Sequence, residues 1–313
     1  MSMYVFGVDI GGTTIKFGLF TVEGELIEKF AIDTNTSHEG SKLLPDVAKA
    51  ILTKLEEKSL TIANVAGVGV GVPGPVNENG IVLVGVNIGW HEPVAVKKIL
   101  SDLLGIPVSV TNDANIAALG EMWLGAATGA NNAIMFTLGT GVGGGIVVDG
   151  KVINGTNGAG GEIGHTAVIF DGGTQCGCGK IGCLETVASA TGIVRMTKEK
   201  LSMTNANSAL RHVENIQAKD VFDAAKAGDS LALEIVDRVG YYLGLVTANL
   251  AATTDPEQFI FGGGVSHAGE ILLNAIRKYY EKYAFSGVKK TPFVIATLGN
   301  DAGIIGGAYL AMH

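Results

Sequence analysis

The chain has 313 residues, of which 47% are hydrophobic and 17% charged, and its formal net charge is −8. This composition excludes a disordered chain and is typical of one large or two moderate folded domains. The acidic balance argues against a nucleic-acid partner, which requires a basic surface. No basic segment followed by an apolar run opens the sequence, and the most apolar stretch, residues 133–148, is interrupted by glycines and threonines. We therefore expect no export signal, no membrane partner and a cytoplasmic location.

In the first half of the chain, apolar patterning predicts short strands that alternate with amphipathic helices. In chain order these are strands at residues 3–10, 15–20 and 26–33, a helix at 41–58, a strand at 65–72, a helix at 94–104, a strand at 106–110 and a helix at 114–124. Gly11 and Gly12 join the first two strands, which predicts a tight turn.

The same pattern restarts in the second half. Strands are predicted at residues 132–138 and 143–148, then a helix at 230–252, a strand at 259–261, a helix that ends at 283, a strand at 293–296 and a helix at 302–312. A strand–glycine turn–strand hairpin thus occurs twice, which predicts a duplicated α/β architecture with a cleft between the two halves. We place the boundary near Asp113 and expect the last helix to pack on the first half. The predicted domains are therefore residues 1–112 plus 301–313, and residues 113–300.

Four potential metal ligands occur close together in the predicted larger domain, in the spacing H-x10-C-x-C-x4-C. They are His165, Cys176, Cys178 and Cys183, and the sequence contains no other cysteine. Three thiolates and one imidazole form a complete ligand set for a closed, structural zinc site. Buried thiols or a disulfide are the other interpretations, but the odd number of cysteines and their close spacing argue against a disulfide. We therefore predict one structural zinc ion.

Three glycine-rich turns follow apolar strands. The first offers backbone N–H groups, hydroxyls and a carboxylate that can hold phosphate oxygens and Mg²⁺; its residues are Asp9, Gly11, Gly12, Thr13 and Thr14. The second turn covers residues 138–145, and the third covers residues 262–264. Each turn taken alone is typical of a tight hairpin, and none has the spacing of a P-loop or a dinucleotide-binding fold. Three such turns in a twice-repeated pattern favour a nucleotide bound between two lobes.

Several polar residues are candidates for chemistry. Asp113 follows a predicted strand and opens a predicted helix, so it can cap the helix or act as a general base toward a hydroxyl, and the sequence leaves both roles open. Glu162 precedes His165 by three residues, and Glu185 follows Cys183 by two. If zinc holds this segment, the two glutamates and His165 gather around one point and offer the hydrogen-bond acceptors that a sugar requires. The alternative is that both glutamates are surface carboxylates.

Taken together, these motifs resemble the ROK family of sugar kinases (repressor, open reading frame, kinase), within the actin-like ATPase superfamily. The resemblance runs the length of the chain and is carried by residues 9–13, 112–115, 138–145, 161–165 and 176–185. The cysteine segment is highly specific to this family. The continuation at residues 186–192 is more similar to the bacterial glucokinases of the family than to its N-acetylhexosamine kinases.

The resemblance implies a two-lobed actin-like, ribonuclease H-like fold and the phosphorylation of glucose at its C6 hydroxyl with MgATP. It makes Asp113 the general base. The sugar-binding residues that it implies are Gly74, Asn87, Asn112, Asp113, Glu162, His165 and Glu185. The nucleotide-binding residues that it implies are Asp9, Gly11, Gly12, Thr13, Thr14, Lys16, Gly139, Thr140, Gly141, Gly143, Gly263 and Gly264. It also implies that His165 contacts sugar through one ring nitrogen and zinc through the other, and that the protein is a homodimer or homotetramer.

Other functions stay open within and outside this family. The alternative within the same reaction class is an N-acetylmannosamine or N-acetylglucosamine kinase. The sugar-sensing repressors of the family carry a DNA-binding domain before the kinase-like part, whereas the first glycine turn begins here at Asp9, which disfavours a non-catalytic regulator. The function of a non-kinase actin-like ATPase would not explain why the sequence contains the zinc segment. The sequence leaves open which hexose is preferred and whether polyphosphate or ADP replaces ATP.

Overall fold

The computed structural model describes residues 3–313, which form two mixed five-stranded sheets flanked by helices. The strands are β1 (Tyr4–Ile10), β2 (Thr14–Thr21), β3 (Leu26–Asp33), β4 (Val65–Val72), β5 (Val108–Asn112), β6 (Ala133–Leu138), β7 (Val142–Val148), β8 (Lys151–Val152), β9 (Gln258–Gly262) and β10 (Phe293–Ile295). The helices are α1 (Ser37–Gly40), α2 (Leu43–Glu57), α3 (Val96–Leu104), α4 (Asp113–Leu124), α5 (Glu185–Ala188), α6 (Ala190–Met203), α7 (Ala218–Lys226), α8 (Ser230–Thr254), α9 (Glu270–Tyr283) and α10 (Ala302–Met312). Within residues 3–313, no helix combines the length and the apolar composition that crossing a bilayer requires. The predicted α/β class is confirmed.

The order of the strands brings the ends of several strands to a common edge. The first sheet has the order β3-β2-β1-β4-β5, with β1 and β2 in an antiparallel hairpin and β4 parallel to both β1 and β5. The second sheet has the order β10-β9-β6-β7-β8, and β9 is parallel to both β6 and β10. Because parallel neighbours end at the same edge of a sheet, the carboxyl ends of β1, β4 and β5 lie side by side, as do those of β6 and β9. The glycine turns follow these ends, and Asn112 is the last residue of β5.

Apolar side chains cover both faces of the first sheet. On one face, Phe6 and Phe17 share a buried cluster with residues of α2 and α3. On the other face, Ile304 and Ala308 of α10 pack against Val5 and Phe20. The backbone of α10 approaches the sheet so closely that a Cβ on Gly7 would lie 1.7 Å from the carbonyl oxygen of Ile304. Only a glycine permits this approach.

The described residues group into two compact units. The first comprises the described residues up to Asn131 together with Gly145–Gly161 and Thr297–His313. The second comprises Asn132–Gly144 and Glu162–Ala296. The domain boundary expected near Asp113 stays a prediction.

The predicted elements agree with the structure along most of the chain. The strands predicted at residues 26–33 and 65–72 and the helix predicted at 302–312 coincide with β3, β4 and α10. Strand β5 begins two residues later than predicted, at Val108, because Pro107 has no N–H to donate and restricts the residue before it. Helices α1, α5, α6 and α7 and the short strand β8 were not predicted. In α6 the buried stripe is too sparse to give a clear period, because only Ile193 and Met196 among its buried residues are large and apolar.

Candidate functional site

In the first unit, the first glycine turn is a tight hairpin between β1 and β2. The N–H of Gly11 donates to the carbonyl oxygen of Thr14 at 3.1 Å, and the hydroxyl of Thr34 donates to the carbonyl oxygen of Gly11 at 2.6 Å. Gly12 and Thr13, at the tip, are exposed. The turn therefore presents the backbone of its tip to solvent, as a phosphate-binding turn requires.

Asp9 and Lys16 face each other across this hairpin. They are register partners in β1 and β2, and Nζ of Lys16 lies 3.9 Å from Oδ2 of Asp9. Burial raises the pKa of the Asp9 carboxyl, and the charge of Lys16 offsets this rise in part. Helix α10 encloses the same carboxyl, since a Cβ on Gly303 would lie 2.7 Å from Cγ of Asp9. A partly buried carboxylate with one cation at this distance is suited to hold a second cation such as Mg²⁺.

Two pairs of predicted site residues meet in the first unit. Nδ2 of Asn112 donates to the carbonyl oxygen of Gly74 at 3.1 Å. Gly74 has a φ of 108°, and a Cβ on it would lie 2.0 Å from the carbonyl oxygen of Val84, so only glycine fits there. The carbonyl oxygen of Asn87 lies 3.1 Å from the position of a Cβ on Gly12. The structure therefore brings Gly74 to Asn112 and Asn87 to Gly12.

Asn112 is the residue that caps α4. Its Oδ1 accepts a hydrogen bond from the N–H of Ala114 at 2.8 Å. Asp113 is the first residue of the helix and is exposed, and its Oδ1 also lies 2.8 Å from the N–H of Ala114. The capping position that the sequence left open for Asp113 is therefore taken by Asn112.

A network of polar side chains lies beneath the start of α4. The hydroxyl of Thr111 donates to Oδ1 of Asn154 at 2.8 Å, and Nδ2 of Asn115 approaches the same oxygen at 3.2 Å. Thr111 and Asn115 are buried. They flank Asn112 and Asp113 in the sequence, so the network fixes the strand end and the helix start that carry those two residues. Sequence analysis did not find this network, because Asn154 lies 43 residues from Thr111 in the chain.

In the second unit, Glu162 and His165 lie at the two ends of a short 3₁₀ turn. Nε2 of His165 is 3.9 Å from Oε2 of Glu162. Nδ1 of the same ring is 3.5 Å from Sγ of Cys176. The carbonyl oxygen of His165 accepts a hydrogen bond from Nζ of Lys180 at 2.9 Å, which fixes the backbone that carries the ring. One ring nitrogen of His165 thus faces the cysteines and the other faces Glu162.

The four predicted metal ligands converge in the second unit. The ligand atoms of all four lie within 4.8 Å of one another; the residues are His165, Cys176, Cys178 and Cys183. Sγ of Cys178 and Sγ of Cys183 are 3.6 Å apart. A tetrahedral ion with Zn–S bonds of about 2.3 Å holds two thiolates about 3.8 Å apart, so the cluster fits one cation of that size.

The cysteine thiols differ in their proton affinity. Burial raises the pKa of Cys176 to about 12 and also raises the pKa of Cys183. A hydrogen bond from the backbone of Lys180 lowers the pKa of Cys178, which is exposed. A cation that binds the cluster must therefore displace protons from the two buried thiols.

Glu185, the first residue of α5, connects the cysteine segment with the second glycine turn. Its Oε2 accepts a hydrogen bond from the N–H of Val142 at 3.0 Å, and its Oε1 lies 3.5 Å from Sγ of Cys176. Gly141 lies so close that a Cβ on it would be 2.4 Å from Oε2. The predicted sugar ligand Glu185 is thus in contact with both the turn and a metal ligand.

The start of α6 holds the second glycine turn. The N–H of Ala190 donates to the carbonyl oxygen of Gly139 at 2.8 Å, and the hydroxyl of Thr191 donates to the carbonyl oxygen of Thr140 at 2.9 Å. The turn itself is shorter than predicted, because β7 begins at Val142 and Gly143 therefore lies in the strand. With the carbonyl groups of Gly139 and Thr140 taken by α6, the turn has one fixed conformation.

The third glycine turn lies beside the second. Gly263 has a φ of 82°, and a Cβ on it would lie 2.6 Å from the carbonyl oxygen of Leu138. This contact follows from the parallel pairing of β6 and β9, in which Thr137 is the register partner of Gly262. Gly264 begins a 3₁₀ helix directly after it. Two of the three predicted phosphate-binding turns therefore meet at one edge of the second sheet.

A cavity of about 580 Å³ lies beside Thr140, between α6 and the start of α7. Its lining is mixed, with apolar, charged and amide side chains, among them Ala190, Val194, Arg195, Lys198, Glu199, Ile216 and Gln217. A concave, largely apolar site with a few polar groups is typical of small-molecule binding. Sequence analysis missed this cavity because it did not predict the two helices that form it.

Comparison with known proteins agrees with these features. The sequence profile of the ROK family matches residues 5–313. A glucokinase of Halalkalibacterium halodurans is 48% identical over 309 residues, which cover 97% of this chain and 93% of the relative. A ROK hexokinase of Thermus thermophilus has a TM-score of 0.82 at 32% identity, covering 99% of this chain and 98% of that one. A ROK family glucokinase from Streptomyces griseus, solved in complex with glucose and AMPPNP, has a TM-score of 0.74 at 37% identity and covers 99% of both chains.

These similarities extend over nearly the whole chain and include its fold, so they confirm the kinase fold that the sequence motifs implied. The resemblance drawn from those motifs is likewise confirmed, because the matched residues include every one of them. The chain belongs to the ROK family.

Proposed function

We propose that the protein is an ATP-dependent hexose kinase of the glucokinase type, which converts glucose and ATP to glucose 6-phosphate and ADP. The observation that carries this proposal is the position of Asp113. It is an exposed carboxylate at the first turn of α4, directly after the cap residue Asn112, and its Oδ1 accepts a hydrogen bond from the N–H of Ala114 at 2.8 Å. The similarity to bacterial glucokinases supports glucose as the substrate.

In this proposal Asp113 accepts the proton of the C6 hydroxyl as the hydroxyl oxygen attacks the γ-phosphorus of ATP. The new O–P bond forms as the bond between the γ-phosphorus and the bridging oxygen breaks, and the electron pair leaves with ADP. Phosphoryl transfer depends mainly on alignment and charge neutralisation, so one oriented carboxylate is sufficient protein chemistry. The network of Thr111, Asn115 and Asn154 supports this role because it fixes the segment that carries Asp113.

The other sugar hydroxyls bind Gly74, Asn87, Asn112, Glu162, His165 and Glu185. Each hydroxyl must be paired when it leaves water, and these residues offer carbonyl, amide, carboxylate and imidazole partners. The ring of His165 supports this assignment, because its Nε2 is directed to Glu162 rather than to the cysteines.

The nucleotide phosphates bind the three glycine turns, through Asp9, Gly11, Gly12, Thr13, Thr14, Lys16, Gly139, Thr140, Gly141, Gly143, Gly263 and Gly264. Mg²⁺, when bound, neutralises charge on the transferred phosphoryl group, and Asp9 is the residue that would hold it. The cavity beside Thr140 suits the adenosine part, since it adjoins the second turn and its lining combines apolar side chains with charged groups and an amide.

The Cys₃His cluster would hold one structural Zn²⁺. Four soft or borderline ligands leave no open coordination position, so the ion would fix the loop rather than activate a substrate. The three free thiols suit a reducing compartment, and we place the protein in the cytoplasm. We expect a homodimer or homotetramer, which light scattering coupled to size exclusion can establish.

A coupled assay tests the proposal. ADP release is measured with MgATP and, in turn, glucose, mannose, fructose, N-acetylglucosamine and N-acetylmannosamine. We expect the highest kcat/KM with glucose. A preference for an N-acetylhexosamine would replace glucose with the alternative substrate class, and no transfer to any of the five sugars would contradict the kinase assignment.

A further inference from the structure

Glu121 is a fully buried carboxylate on α4 that the proposed reaction does not use. Its Oε1 accepts hydrogen bonds from the N–H groups of Thr297 at 3.0 Å and Leu298 at 2.8 Å. Its Oε2 accepts one from the N–H of Ala126 at 2.8 Å and also lies 3.3 Å from the hydroxyl of Thr297. Both oxygens therefore face donors, and the side chain joins α4 to a segment far away in the sequence.

The bonding pattern of Glu121 requires a carboxylate. An ionised carboxylate accepts on both oxygens, whereas the amide of a glutamine has one oxygen and one NH₂ group. In either orientation, that NH₂ group would leave one backbone N–H unpaired: Leu298 if it replaced Oε1, or Ala126 if it replaced Oε2. The N–H of Thr297 lies within hydrogen-bond distance of both oxygens and would keep a partner. Buried donors without a partner are costly, so the isosteric amide cannot replace the acid here.

The segment that Glu121 holds leads directly to the Asp9–Lys16 pair. Two residues after Leu298, the carbonyl oxygen of Asn300 accepts a hydrogen bond from Nζ of Lys16 at 3.3 Å. Three residues further on, Gly303 of α10 lies against the carboxyl of Asp9. Glu121, the segment 297–303, Lys16 and Asp9 all belong to the first unit.

We infer that Glu121 is a positioning residue for nucleotide binding: its carboxylate fixes the segment 297–303, which in turn fixes the side chains of Lys16 and Asp9. This inference rests on the proposed function, since that proposal assigns Asp9 and Lys16 to MgATP. Glu121 should affect nucleotide binding more than sugar binding. Its contacts lead to Lys16 and Asp9, whereas Asn112 and Gly74 are held by their own hydrogen bond.

The variant Glu121→Gln tests the inference in the full-length protein. The dissociation constants of MgAMPPNP and of glucose are measured separately by titration calorimetry, at a temperature below the thermal midpoint of the variant. We expect nucleotide affinity to fall by at least about tenfold, the size typical of losing a charge-assisted hydrogen bond, and glucose affinity to stay within about twofold. Equal weakening of both ligands, or a lower thermal midpoint with unchanged nucleotide affinity, would assign Glu121 a purely structural role and overturn the inference.

A second variant perturbs the same carboxylate without changing its charge. A Cβ on Gly125 would lie 2.2 Å from Oε2 and 2.7 Å from the Cα of Glu121, so Gly125→Ala must displace that oxygen and shift the end of α4. We expect the same selective loss of nucleotide affinity. If Glu121→Gln does not fold, Gly125→Ala carries the test, and wild-type nucleotide affinity in Gly125→Ala contradicts the inference.

The control is Leu100→Ala, which creates a cavity in the core of the first unit at a fully buried residue of α3. It should lower the thermal midpoint and leave both affinities near those of the parent. Because binding is measured directly, the test does not depend on turnover. A parent protein that binds MgAMPPNP but phosphorylates no hexose would contradict the proposed function and leave the test of Glu121 intact.

Discussion

Glu185 accepts a hydrogen bond from the backbone N–H of Val142 at 3.0 Å, although the two residues are 43 positions apart. The second carboxylate oxygen of Glu185 lies 3.5 Å from Sγ of Cys176. One side chain thus contacts both a candidate metal ligand and the glycine turn that we assign to phosphate binding. A change in the cysteine cluster should therefore be transmitted to the turn.

The variant Cys178→Ser should lose the metal and weaken ligand binding together. Cys178 is the exposed ligand of the cluster, so the substitution removes one thiolate with little change in packing. Without the ion, the loop that carries His165 is no longer fixed. The contact between Cys176 and Glu185 is then no longer fixed either. We expect less than one zinc per chain by elemental analysis, a lower thermal midpoint and weaker glucose binding.

Thr174→Ser is the matched control, because Thr174 lies in the same loop and contributes only its carbonyl oxygen, to the N–H of Gly182. It should behave like the parent. A Cys178→Ser protein with full zinc content, or a metal-free parent with unchanged stability and glucose affinity, would contradict a structural zinc site.

Zinc affinity should fall as the solution is acidified. In the absence of metal, burial keeps the pKa of Cys176 near 12 and raises that of Cys183, so both thiols carry protons throughout the neutral range. Each proton that zinc displaces makes the affinity about tenfold weaker per unit of pH decrease. Competition with a chromogenic chelator from about pH 8 to about pH 6 measures this slope. A pH-independent zinc affinity would show that the ion is not bound by these thiolates.

The variant Asp113→Asn should lose most of its turnover and keep its fold. Asparagine has nearly the same size but cannot accept the hydroxyl proton, and loss of a positioned general base typically costs about 10²–10⁴ in rate. Stability should be retained because Asn112 caps α4, and the amide oxygen of an asparagine at position 113 can still accept from the N–H of Ala114. The measurements are kcat, glucose affinity and thermal midpoint on one preparation.

Asp229→Asn provides the matched control, since Asp229 caps α8 through the N–H of Ala232 at 3.0 Å. Its other oxygen, Oδ2, accepts from the N–H of Ala209 at 2.8 Å, and an amide cannot accept on both sides. The variant should therefore lower the thermal midpoint and leave kcat unchanged. If Asp113→Asn gives the same result as this control, with turnover within a few-fold of the parent, then Asp113 has a structural role.

The variant Asp9→Asn should be more stable than the parent at neutral pH and should bind MgATP poorly. Burial raises the pKa of Asp9, so the ionised carboxyl is less favourable in the folded chain than in the unfolded chain. The parent therefore loses stability as pH rises above the ordinary value of 3.8, and asparagine avoids this loss. The gain in thermal midpoint should shrink as the pH is lowered toward that value.

Asp33→Asn serves as the comparison, because Asp33 is an exposed carboxylate at the end of β3. It should leave MgATP affinity unchanged. An Asp9→Asn variant with parental MgATP affinity would exclude Asp9 from the metal–nucleotide site.

Most of the fold could be predicted from local patterns. The apolar runs of β1 and β4 and the helical spacing in α2 are strong signals, because buried elements show their period directly in the sequence. Helix α7 also has such a period, but it is short and lies among polar residues, so its signal is weak and it was not predicted. The start of β5 was predicted two residues too early, because the apolar pattern alone does not include the effect of Pro107 on its neighbours.

The site could be predicted as residue types and not as contacts. The metal ligands were found because all four lie in one short segment. Glu121 was not found, because a glutamate in a helix usually faces solvent, and its partners Thr297 and Leu298 are 176 and 177 residues away. Hydrogen bonds over such separations depend on how the strands and helices pack, which a single sequence does not state.

Helix α10 is synthesised after every strand that it covers. The ribosome must add residues 132–296, nearly all of them in the second unit, before α10 can reach Gly7 and the face of β1 that bears Val5. Until then this face of the nascent sheet stays exposed to the surrounding protein. Domains generally fold as units during synthesis, so the second unit should reach its native state first. Slow translation through residues 132–296 would prolong the period in which this apolar face is open to aggregation.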